Sequence, residues 1–83
     1  MAYKIDERQV AGVVRETGTA LLPHRFNPPE VVIGLAELIG RSIVDMADNH
    51  IQMRELEEIV HKHIHRTITI GAHASGKSGL ARV

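Results

Sequence analysis

The apolar residues of the N-terminal segment recur at helical spacing. Asp6 followed by Gln9 resembles a capping box at the start of a helix, and Pro23 ends the pattern. Gly12 and Gly18 weaken this helix, because each costs up to about 1 kcal/mol relative to Ala in a helix interior. The predicted apolar face consists of Val10, Val13, Val14, Thr17 and Leu21.

A second helix is predicted from about residue 28 to residue 48, after the stretch "PHRFNPP". Asn27 can cap its first turn, which accepts Pro28 and Pro29. Apolar residues cover most of its circumference: Val31, Val32, Ile33, Leu35, Leu38, Ile39, Ile43, Val44 and Met46. One ridge is polar: Glu30, Gly34, Glu37, Arg41, Asp45 and Asp48. We therefore expect this helix to be almost wholly buried, against other helices or another subunit.

A third helix follows Asn49, which with Gln52 offers another cap. Its predicted apolar face consists of Met53, Leu56, Val60, Ile64 and Thr67. After Arg66 the sequence "TITI" alternates with period two and is β-branched, which predicts a briefly extended segment. The predicted fold class is all-α: a three-helix, bundle-forming chain with an irregular or short extended C-terminal tail. We expect a helical domain over residues 1–70 and a glycine-rich basic tail over residues 71–83.

The length and composition favour a small intracellular oligomer. Eighty-three residues allow one domain with a modest core, and a partner chain would add buried surface that stabilises it. We therefore expect a homodimer or a higher homo-oligomer. The absence of cysteine excludes disulfides and thiolate metal sites. No apolar run approaches the roughly 18 residues of a membrane helix, so no membrane contact is expected and a cytoplasmic location is the default.

Charge is distributed unevenly, although ten basic residues balance ten acidic ones. Every acid lies at or before Glu58, whereas residues 59 to 83 carry Lys62, Arg66, Lys77 and Arg82 together with four of the six histidines. This basic third could bind an anion, a nucleotide or an acidic protein partner, and such tails also occur without a ligand. Zero net charge and only two aromatic residues make nucleic-acid binding an unlikely function.

The stretch "GAHASGKS", residues 71–78, matches the phosphate-binding loop pattern G-x-x-x-x-G-K-[ST]. In such a loop Gly71 and Gly76 would let backbone amides face a phosphate, while Lys77 and Ser78 would contact its oxygens and metal. The required parallel sheet, the acidic strand for magnesium and a following helix longer than "GLARV" are missing. Three interpretations stay open: a truncated nucleotide hydrolase, an anion nest without hydrolysis, or an accidental match in a flexible tail.

Two further clusters are candidate metal sites. Glu57, His61 and His65 follow one another at four-residue intervals on one helical face, and two histidines at this spacing are a workable metal pair. The alternative is a solvated or titrating cluster. Glu37 and Asp45 share the polar ridge of the second helix, where Arg41 between them favours a neutralising charge ladder over metal binding.

The order of these features resembles the MazG-like all-α nucleoside triphosphate pyrophosphohydrolases. The matching stretches are "VVRETGTALLPHR", "GLAELIGRSIVDMA", "RELEEIVHKHIHRT" and "HASGK". Of the five carboxylates in the family pattern, Glu16 and Glu37 have a match, whereas Arg15, Thr19 and Gly34 depart from it. Two carboxylates are too few for the family's magnesium-dependent chemistry, although they could still contact Mg²⁺.

The resemblance implies a helical, oligomeric scaffold that has lost catalysis. It also implies a phosphate-binding tail around Lys62, Arg66, His73 and Lys77. We therefore expect a non-catalytic homo-oligomer that binds a nucleotide or another phosphate-containing ligand. The alternative is a protein-interaction module, an inhibitor or adaptor, with no small-molecule ligand.

Overall fold

The computed structural model describes residues 3–77, and every regular element in that range is helical. Helix α1 spans Glu7–Leu21, a 3-10 turn spans Leu22–His24, α2 spans Pro28–Met46 and α3 spans His50–Ala74. The range contains no β-strand. The predicted all-α chain of three helices is therefore confirmed.

Local capping fixes where α1 and α3 begin. The Asp6 carboxylate accepts hydrogen bonds from the backbone amides of Arg8 at 2.9 Å and Gln9 at 3.4 Å. The Asn49 side chain accepts from the Gln52 amide at 3.0 Å, and Gln52 Oε1 accepts from the Asp48 amide at 2.7 Å. Both predicted caps are confirmed, and each satisfies amides that a helix start would otherwise leave unpaired.

A compact turn connects α1 to α2. The 3-10 turn contains Pro23 and ends at Arg25, which adopts a left-handed conformation with φ of 54°. The rings of His24 and Phe26 stack with centroids 5.2 Å apart. The Asn27 carbonyl accepts the Val31 amide at 3.1 Å, which starts the helical hydrogen bonding of α2.

The predicted extended segment after Arg66 is wrong, because α3 continues through "TITI" to Ala74. β-branched residues cost only a few tenths of a kcal/mol in a helix, whereas a strand without a pairing strand leaves its backbone groups unpaired. Thr69 adapts to the helix by donating its hydroxyl to the His65 carbonyl at 2.9 Å. The first four residues of the predicted 71–83 tail are consequently helical.

Little of the described chain is buried. The chain divides into two compact units, Met1–Arg41 and Ser42–Val83, with the division inside α2. Leu56, 7% exposed, is the single buried residue between positions 3 and 77. The prediction that α2 is almost wholly buried is wrong for the single chain, since none of its residues is buried. Despite this apolar surface, no helix in the described range is long and apolar enough to cross a membrane.

Candidate functional site

The basic residues predicted to bind phosphate share one face of α3. Lys62, Arg66 and His73 lie four and seven residues apart along the helix, and this spacing aligns them because an α-helix has 3.6 residues per turn. All three side chains are exposed. We call this set the basic stripe. Since α3 continues past Arg66, the stripe extends over about three turns of rigid helix.

The glycines of the loop motif have a different structural role. Gly71 lies within α3, and Gly76 has a φ of 72° at the position that follows the helix end. The Gly76 amide donates to the His73 carbonyl at 3.2 Å, and the Lys77 amide donates to the Ala72 carbonyl at 2.7 Å. This pair of hydrogen bonds is the Schellman motif, which ends helices at a left-handed glycine.

The Schellman motif occupies the amides that an anion nest would need. The Ser75 amide also donates inward, to the Gly71 carbonyl at 3.0 Å. A phosphate-binding loop requires several consecutive amides that point toward the ligand. In this conformation those of residues 75–77 point back into α3, so a nest would require the helix end to unwind. Ser78, the last residue of the motif, lies outside the described residues.

The candidate metal ligands are distributed over all three helices. Glu16 is exposed on α1, with its Oε2 atom 3.8 Å from Nε of Arg15. Glu37 is exposed on α2, and His61 and His65 are exposed on adjacent turns of α3. Within residues 3–77, no group of three or more histidine and acidic side chains is arranged to hold a metal ion. The described geometry thus gives neither cluster the additional ligands that a metal site requires.

An apolar groove in the first unit was not predicted from the sequence. Its volume is about 510 Å³. It is lined by Leu21, Phe26, Glu30, Val31, Gly34, Leu35 and Leu38. Such a lining suits an apolar side chain better than a phosphate, since Glu30 is its only charged residue. The groove depends on the turn between α1 and α2, and turn geometry is not visible in the hydrophobic periodicity.

Comparisons with protein-family models, with curated proteins and with solved structures give no match to this chain. The MazG-like resemblance therefore stays a prediction. Two features of the described surface bear on function: the exposed apolar faces of the helices and the basic stripe of α3.

Proposed function

We propose that this protein is a non-catalytic, homo-oligomeric helical module that works by binding protein surfaces, first of all other copies of itself. The observation that carries this proposal is the exposure of large apolar side chains on every helix. Val14 of α1 is 67% exposed, Val32 of α2 is 64% exposed and Ile68 of α3 is 63% exposed.

Little of this apolar surface is covered within the described chain. Full burial of one Val, Leu or Ile side chain stabilises by roughly 1.5–3 kcal/mol, and a folded domain usually depends on many such residues. In the described chain Leu56 alone is buried. Association would cover the remaining apolar faces and supply a core that the single chain lacks. Large exposed apolar patches commonly mark protein-interaction surfaces.

Light scattering and sedimentation at micromolar concentration test the proposal directly. We expect a dimer or larger species, and we expect Ile33→Asn to shift the population toward monomer. Ile33 is 60% exposed, so this substitution removes little from the single chain. Glu37→Asn, on the polar ridge of the same helix, is the matched control and should leave the mass unchanged. A wild-type chain that stays monomeric would contradict the proposal.

A second candidate function is the binding of a nucleotide or another phosphate-containing ligand along the basic stripe. The favouring observation is that Lys62, Arg66 and His73 share one exposed face of α3, in a region where no acid follows Glu58. Lysine and arginine are the usual protein groups for phosphate oxygens. The degenerate pyrophosphohydrolase-like scaffold would then serve for binding rather than hydrolysis.

A thermal-shift screen separates this candidate from the first. If the stripe binds phosphate groups, nucleoside triphosphates and inorganic phosphate, with and without Mg²⁺, should raise the melting temperature. The double substitution Lys62→Ala with Arg66→Ala should abolish the rise, whereas Arg54→Ala, on the same helix but nearer its start, should preserve it. Loss of the rise in Lys77→Ala alone would instead favour the loop. No rise with any compound would eliminate the phosphate ligand but leave self-association intact.

A further inference from the structure

We draw no further inference here: the strongest candidate, the exposed apolar face of α3 around Ile64 and Ile68, carries none because Lys62 and Arg66 lie on the other side of the helix and nothing in the structure shows what covers this face.

Discussion

Gly76 has a φ of 72°, a conformation that costs other residues roughly 1 kcal/mol or more. We expect Gly76→Ala to destabilise the end of α3 by about 1 kcal/mol, because the Schellman hydrogen bonds require this backbone conformation. Gly18 is the matched control: it lies inside α1, and an added Cβ would meet nothing within 4 Å. Gly18→Ala should therefore stabilise the protein by roughly 0.5–1 kcal/mol. Thermal melts followed by circular dichroism compare the two. Equal signs for both changes would contradict this assignment.

The roles of single residues could be predicted from the sequence where the hydrogen bonds they make are local. Asp6 and Asn49 cap their helices through amides two or three residues away, so the residue type and its position are sufficient to predict the contact. The role of Gly76 was harder to predict, because the sequence around it fits both a phosphate-binding loop and a helix C-terminus. What decides between them is the conformation of residues 67–74, which local pattern alone did not provide.

At the scale of elements, α1 and α2 follow the predicted boundaries closely, whereas α3 is longer than predicted. The end of α1 and the starts of α2 and α3 are fixed by Pro23, Asn27, Pro28 and Asn49. Each of these residues either caps a helix or cannot continue one. The stretch "TITI" predicted an extended segment because its residues are β-branched. Helix propagation adds one hydrogen bond per residue, and that gain outweighs a small propensity cost when no partner strand is present.

The extension of α3 changes what its basic residues can do. Had the chain become extended after Arg66, Lys62 and His73 would not share a face. In the continuous helix they align with Arg66, while the opposite side carries the exposed apolar residues Ile64 and Ile68. The same element therefore presents a basic surface and an apolar surface, which allows the phosphate candidate and the self-association to be tested by separate substitutions.

At the scale of the whole molecule, hydrophobic periodicity identified the apolar faces but not what covers them. The pattern of α2 predicted burial, yet Val32, Ile33 and Val44 are each more than half exposed in the described chain. Periodicity reports that a face favours an apolar environment, and a second subunit satisfies that preference as well as an intramolecular neighbour does. The sequence of a single chain therefore shows which helix faces are apolar, but it does not show which surface covers them.

Stability that depends on association must depend on protein concentration. For a dimer that is folded only when paired, each tenfold dilution lowers the free energy of unfolding by about 1.4 kcal/mol, because dissociation is favoured by mass action. We expect the melting temperature to fall steadily as the protein is diluted from about 100 μM to about 1 μM. Ile33→Asn should melt at a lower temperature than the natural chain at every concentration, since it weakens the association itself. Melting temperatures independent of concentration would show that the chain covers its own apolar faces, and the exposed surface would then need another explanation.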